Sequence, residues 1–357
     1  MSAVRHAGRG PAAPVAIRRI GVVSPLGTGF GAFGAALALH ARSVPTLPDD
    51  PSLPRRAAHL VDVDGAKHLG AKGLAALNRM SQMSMIACGE ALDGERDAPV
   101  GVVLGTAGGS FRSITDFVRS TYSGPAPHMI SPMQFPNTVM NCAAAQCAIR
   151  YGLTGVNSTV CAGDLSTLAA LAYAVRMLRA GHGDRIVAGG VEEYCDFTAW
   201  SHAANADAEA PMGEGAALFA LGGGGDDALG ELLGVAQRRV GNGEAAGARR
   251  GALVRELLDD AGIAPDRVAW RMGSETADGE VGAREQDAVA AAGIDAGVAD
   301  LSGLATAAVG RTYAASFGFQ LAAALAVAPE GVGVLTASGP LNQFGGALVR
   351  IPARTRN

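Results

Sequence analysis

Along most of the chain, short apolar runs alternate with apolar residues at helical spacing. Residues 17–24 (IRRIGVVS) are a β-branched run stopped by Pro25 and Gly27, which predicts a strand, with a helix over 33–39. Residues 43–58 are proline-rich and read as a loop. Helical spacing returns over 78–92, and 100–104 predicts a buried strand running into the glycine turn 105–109. Residues 123–140 carry four prolines and read as loop, and 141–151 as a helix. The segment 155–191 gives a strand over 156–160, Cys161 at a turn, a helix over 164–180 closed by Gly181 and Gly183, and a strand from 185. Another strand falls at 213–221, and 222–227 is the one convincing linker.

The second half repeats the plan. Helices are predicted over 253–261, 285–292 and 312–328, a strand over 268–272, and paired strands over 332–336 and 346–351. Two halves that each alternate β and α predict a duplicated α/β architecture. The expected organisation is a flexible lead over 1–16, a first half over 17–222 and a shortened second half over 228–357.

Composition narrows the function classes. Of 357 residues, 48% are hydrophobic and only 17% charged, which excludes a disordered chain and leaves room for a large core. Formal net charge is −4 with no stripe of Lys and Arg, which argues against a nucleic-acid binder. The five cysteines, Cys88, Cys142, Cys147, Cys161 and Cys195, match no zinc spacing and, being odd in number, no disulfide framework, so reduced thiols and no metal are expected. The basic N-terminus lacks the apolar core of a signal peptide, and no stretch reaches the roughly 20 apolar residues of a membrane span. A soluble, cytoplasmic protein is expected.

At this point the motifs resemble a known family. GVVSPLG at 21–27, GVVLGTAGG at 101–109 and the long segment 135–163 leading to Cys161 resemble the opening strands and nucleophile segment of β-ketoacyl-acyl-carrier-protein synthases. DRIVAGGVEE (184–193) and MGEGAALFAL (212–221) resemble the later strands of their first half. MGSETADGE (272–280) lies where the family has His-Gly-Thr-x-Thr, GRTYAASFGFQLAAAL (310–325) where it has Gly-His and small residues, and NQFGG (342–346) resembles the closing phenylalanine–glycine loop. The resemblance implies a thiolase-like five-layer αβαβα fold from two duplicated halves, an obligate dimer, and no cofactor beyond acyl groups on the phosphopantetheine arm of an acyl carrier protein.

Cys161, at a strand-to-helix turn, matches the family's nucleophile. A helix N-terminus favours a thiolate, and by resemblance the Cys161 and Phe344 amides form an oxyanion hole. Decarboxylative condensation further needs two histidines and a supporting lysine. The first histidine position is Met272, the second Arg311; the lysine falls on Thr306, and a glutamate further along the helix becomes Gln320. The last histidine in the chain is His202 and the last lysine Lys72, so residues 203–357 hold neither. Methionine donates no hydrogen bond, and arginine is no general base. Arg311 reads as a plug, with two rivals: a clamp for a malonyl carboxylate and an ion-pair partner for the Cys161 thiolate. After Gly346 the family's Thr-Asn is missing, which shortens the closing loop. His182 reads as a solvated cap, His128 and His202 as loop residues, Glu192 and Glu193 as a salt bridge or cap, and the methionines of 80–85 as core.

The leading expectation is a non-condensing homologue resembling the chain-length-factor subunits of type II polyketide and polyene synthases, paired with an active ketosynthase in a heterodimer. One alternative is a Cys161-dependent acyltransferase or thioester hydrolase acting on carrier-protein thioesters. Another is a homodimeric binding protein. Residues 129–151 are apolar with Arg150 as their only charge, so Met133, Phe135 and Met140 are expected at a dimer interface or partner tunnel.

Overall fold

The structure, a computed structural model, describes residues 13–47, 53–54, 56–94, 99–124, 126, 128–204, 210–225, 227–241, 245–275 and 278–353. Most of the expected lead, residues 1–12, lies outside them. The first half carries strands β1 (Val15–Ser24), β2 (Gly27–Thr28), β3 (Ala58–His59), β4 (Val100–Gly105), β5 (Asn157–Val160), β6 (Arg185–Glu192), β7 (Met212–Gly213) and β8 (Gly215–Gly222). The second half carries β9 (Gly230–Arg239), β10 (Val268–Met272), β11 (Ala299–Asp300), β12 (Gly331–Gly339) and β13 (Gln343–Ile351). The helices are α1 (Phe30–Ala38), α2 (Gly65–Leu69), α3 (Arg79–Leu92), α4 (Phe111–Ser123), α5 (Cys142–Tyr151), α6 (Ser166–Arg179) and α7 (Asp196–Ala204). They continue with α8 (Ala245–Ala261), α9 (Glu280–Ala291), α10 (Leu304–Val309) and α11 (Ser316–Val327).

The duplication is explicit in the strand order. Across the first half the strands run β5-β4-β6-β8-β1, and across the second β11-β10-β12-β13-β9. Taken in chain order within each half, both read third, second, fourth, fifth, first. In both, the fifth strand is antiparallel to its two neighbours: β8 to β6 and β1, β13 to β12 and β9. The remaining pairs are parallel. A short antiparallel contact between β1 and β9, Val15–Ile17 against Gly230–Leu232, joins the halves. Val15 and Ala16 thus belong to the sheet, not to a flexible lead.

Helices complete five layers. Helices α3 and α5 cover the outer face of the first half around Met80, Met83, Ile86 and Leu104. Helices α6 and α11 lie between the halves, packing Leu168, Leu171, Phe317 and Phe319 with Val22, Phe219, Trp270 and Leu335. Helices α8 and α9 cover the second half around Leu253, Leu257, Val289 and Leu348. This is the thiolase-like arrangement of the ketosynthases. Among the described residues no helix is long and apolar enough to cross a membrane.

Local chemistry explains the boundaries. Asn78 Oδ1 accepts the Ser81 N–H and starts α3; Ser110 Oγ accepts the Ser113 N–H and starts α4. The hydrophobic pattern had assigned nothing to α4, α7 or β9. Helix α4 carries Phe111, Ile114, Phe117 and Val118 at helical spacing, but none of its residues is fully buried within the chain, and β9 is interrupted by Gly234 and ends in exposed arginines. The expected helix over 312–328 begins only at Ser316, after a single 3₁₀ turn at Tyr313–Ala315.

Strand β1 passes unusually close to α3 at Gly21, where a Cβ would lie 1.8 Å from the Ala87 carbonyl oxygen. Gly21→Ala is therefore expected to destabilise the protein by about 3 kcal/mol, the upper end for overpacking, because backbone rather than a flexible side chain has to move. Urea denaturation of the two proteins measures the difference.

Candidate functional site

Strand β5 delivers Cys161 to an exposed turn, but the cysteine does not open the helix. Gly163 takes a left-handed φ of 60°, and α6 begins only at Ser166. The helix dipole fades within one turn, so the intervening residues weaken the field on the sulfur. Ser166 Oγ accepts the Ala162 N–H at 2.9 Å and lies 3.0 Å from the Thr106 carbonyl, which ties the turn to the end of β4. The Cys161 thiol donates to the Ala107 carbonyl at 2.7 Å, a contact that needs the proton on sulfur.

Beneath that turn lies a buried acid. The Ala107 N–H donates to Glu192 Oε2 at 3.0 Å, while Glu192 Oε1 has no hydrogen-bond partner. Burial pushes the Glu192 carboxyl up to about 8, so it is largely protonated at neutral pH. Its neighbour Glu193 caps instead: it accepts the Ser110 hydroxyl at 2.7 Å and the backbone N–H groups of Arg112 and Met80. The salt bridge considered for this pair is not formed; both carboxylates hold loop amides.

Arg311 is clamped. Its guanidinium donates to Asp164 at 3.1 Å and to Glu275 at 3.4 Å, and lies 5.2 Å from the centre of the Tyr313 ring. Burial opposes its charge, but Asp164 and Glu275 outweigh that and hold it firmly protonated. The main chain is fixed too: Arg311 N–H donates to the Pro211 carbonyl and the Arg311 carbonyl accepts from Gly213. The structure therefore pairs Arg311 with two carboxylates, not with the Cys161 thiolate. Asp164 and Glu275 also leave a net negative surround, which disfavours a third carboxylate such as malonyl.

Thr306, Arg311 and Gln320 come together, with Asp164, Ser274 and Glu275, around a cavity of only about 30 Å³. That is the space of about one water. The Thr306 hydroxyl donates to the Ser274 carbonyl, and Gln320 Nε2 to the Thr336 carbonyl. Ser274 in turn donates its N–H and hydroxyl to Glu285, a buried acid pushed up to about 7 by its burial. Met272 does not join them: its side chain is packed in the core between the halves.

Phe344 also departs from expectation. Its ring is fully buried among the residues under α8, and its backbone sits mid-sheet between Ser338 of β12 and Arg238 of β9. An N–H there points at a neighbouring strand, whereas an oxyanion-hole donor has to face open space. The hairpin closes through Pro340, Leu341 and Asn342, the last two with left-handed φ near 60°, so the ladder begins at Gln343.

Sequence reasoning missed His202 and Tyr313. His202, on α7 and not in a loop, accepts or donates a short hydrogen bond through Nδ1 to the Tyr313 hydroxyl. Burial, then the charges of Arg311 and Arg56, lowers the His202 pKa, and burial lifts Tyr313 to about 12, so this is a neutral pair. The one advance signal was Arg311 itself, since a buried arginine demands acidic and aromatic neighbours.

The segment expected at an interface is in fact open. Met133 is 78%, Phe135 57% and Met140 46% exposed. Phe135 stacks edge-on with Phe117 of α4, and Val118, Tyr122 and Ile149 are also exposed.

Glu192 makes stability depend on pH. Between about 4.5 and about 8 the folded protein keeps a proton that the unfolded chain has lost, so stability falls as pH rises through that window. The slope is on the order of 1 kcal/mol per pH unit. Glu192→Gln, which replaces the protonated carboxyl with an isostere, should melt close to the wild-type temperature at pH 5 and clearly above it at pH 8. Melting curves across that range check this.

Comparison with known proteins fits the geometry. The sequence profile described as "Beta-ketoacyl synthase, N-terminal domain" matches residues 13–225. A 3-oxoacyl-(acyl-carrier-protein) synthase 2 of Coxiella burnetii is 29% identical over 191 residues, 50% of this chain and 45% of that protein. The tetracenomycin polyketide synthase ketoacyl synthase beta subunit of Streptomyces glaucescens is 26% identical over 190 residues, 50% and 46% of the two chains. The matched stretch thus spans less than half the length of these curated relatives. A solved structure, the ishigamide ketosynthase/chain length factor, superposes with a TM-score of 0.83 at 29% identity, covering 96% of this chain and 100% of that one. This chain belongs to the β-ketoacyl synthase family.

Proposed function

We propose that the chain is a non-condensing ketosynthase homologue, a chain-length-factor-like partner of an active β-ketoacyl synthase in type II fatty acid or polyketide biosynthesis. In this reading the partner carries the condensing chemistry, an acyl carrier protein delivers the acyl groups, and this subunit shapes the shared space. The observation that carries it is the Arg311 clamp. Where condensation needs two imidazoles and room for a malonyl group, this chain has Arg311 bound to Asp164 and Glu275 over a one-water cavity. The likeness to the ishigamide ketosynthase/chain length factor supports it, as does the exposure of Met133, Phe135 and Met140. An obligate interface of this kind buries more than about 2,000 Å² and is mostly apolar.

A second reading, a Cys161-dependent acyltransferase or thioester hydrolase, draws on the exposure of the Cys161 thiol. The two readings part at that residue. The isolated protein should release no carbon dioxide from malonyl-carrier protein above background. Co-expressed with an active ketosynthase, Cys161→Ala should leave product rate and chain length within about twofold of wild type, since a subunit that only shapes a tunnel uses no nucleophile. Acyl mass on the Cys161 peptide within seconds of mixing with acyl-carrier protein decides for the transferase instead.

Phe135→Ala tests the partner surface. It should weaken the heterodimer by about tenfold or more, the loss expected of an aromatic anchor, or shift product chain length, with circular dichroism unchanged. A stable monomer by sedimentation at micromolar concentration, with the ketosynthase present, sinks the subunit reading.

A further inference from the structure

Away from the Arg311 site, a cleft of about 690 Å³ lies between the tail of α1 and the α10–α11 pair. Its volume is that of a small-molecule site. Leu37, Leu301, Leu304, Ala308 and Val327 supply its apolar side, while His40, Arg42, Asp300 and Ser302 supply a polar one. The cleft is preformed: the Ser43 N–H and hydroxyl both donate to the Ala308 carbonyl, at 2.9 and 2.8 Å, which fixes the segment carrying Arg42 against α10.

Charge in the cleft is one-sided. The carboxylate that also lines it, Asp300, is already neutralised by Arg271 at 2.7 Å and accepts the Ser302 N–H. Arg42, by contrast, is exposed and has no ion pair among the described residues. A cleft with an apolar side and an exposed guanidinium matches a chain with an anionic end, because the tail gains burial and the planar fork takes a carboxylate in two hydrogen bonds.

The geometry points to a binding site for an unbranched long-chain carboxylate, with its tail along Leu37, Leu304 and Val327 and its carboxylate on Arg42. This site is separate from the Arg311 cavity and independent of the partner-subunit reading.

Titration calorimetry of the full chain with sodium dodecanoate, kept below its micelle concentration, tests it. Saturable one-to-one binding is expected, with dodecan-1-ol bound at least tenfold more weakly. Arg42→Gln, a change at an exposed side chain, should weaken dodecanoate at least tenfold and leave the alcohol unchanged. Ala307→Phe, on the cleft wall, should block both, with the fold checked by circular dichroism. Absence of saturable binding, or dodecanoate affinity unchanged in Arg42→Gln, overturns the assignment.

Discussion

A partly buried arginine needs acids around it, and much of the site follows from that need at Arg311. Stripping water from a guanidinium costs several kcal/mol unless acids replace the lost hydration. Here Asp164 comes from the first half, just past Cys161, and Glu275 from the loop after β10. Tyr313 brings its ring under the guanidinium by taking a left-handed φ of 46°, a conformation tolerated only because the surroundings fix it, and His202 holds its hydroxyl. One side chain therefore links the two halves and ties the turn after Cys161 to the loop after β10.

A second device recurs around it. Buried carboxylates gather the amides of the loops that a ketosynthase site is built from. Glu192 takes Ala107, Glu193 takes Met80 and Arg112, Glu285 takes Ser274, and Glu214 takes Val61 and Tyr194 while pairing with Arg79. Backbone N–H groups at loop and helix starts have no internal partner, and an acid placed among them satisfies several at once. Each acid thus fixes the loop or helix start whose amides it accepts.

The outer surface complements this. No side chain of helix α4 is fully buried within the chain, and Met133, Phe135 and Ile149 are exposed. Exposed apolar side chains of this kind support the proposed partner-subunit reading.

The sequence by itself determined the order of elements, the β5–Cys161–α6–β6 unit, the duplicated halves, and the lack of histidine and lysine after residue 202. These are local patterns and simple inventory, which need no third dimension. It also placed a helix over 78–92, within one residue of α3, because apolar spacing is local. Only the tertiary structure decided that Met272 packs into the core, that Arg311 turns to Asp164 and Glu275, and that Phe344 lies inside a ladder. It also revealed α4, α7 and β9, the last broken by Gly234 and ending in exposed arginines. The reason is the same in each case. Periodicity reports which face a residue turns, whereas the pairing of charges and of strands joins segments more than a hundred residues apart, such as Asp164 with Arg311 and Arg238 with Phe344.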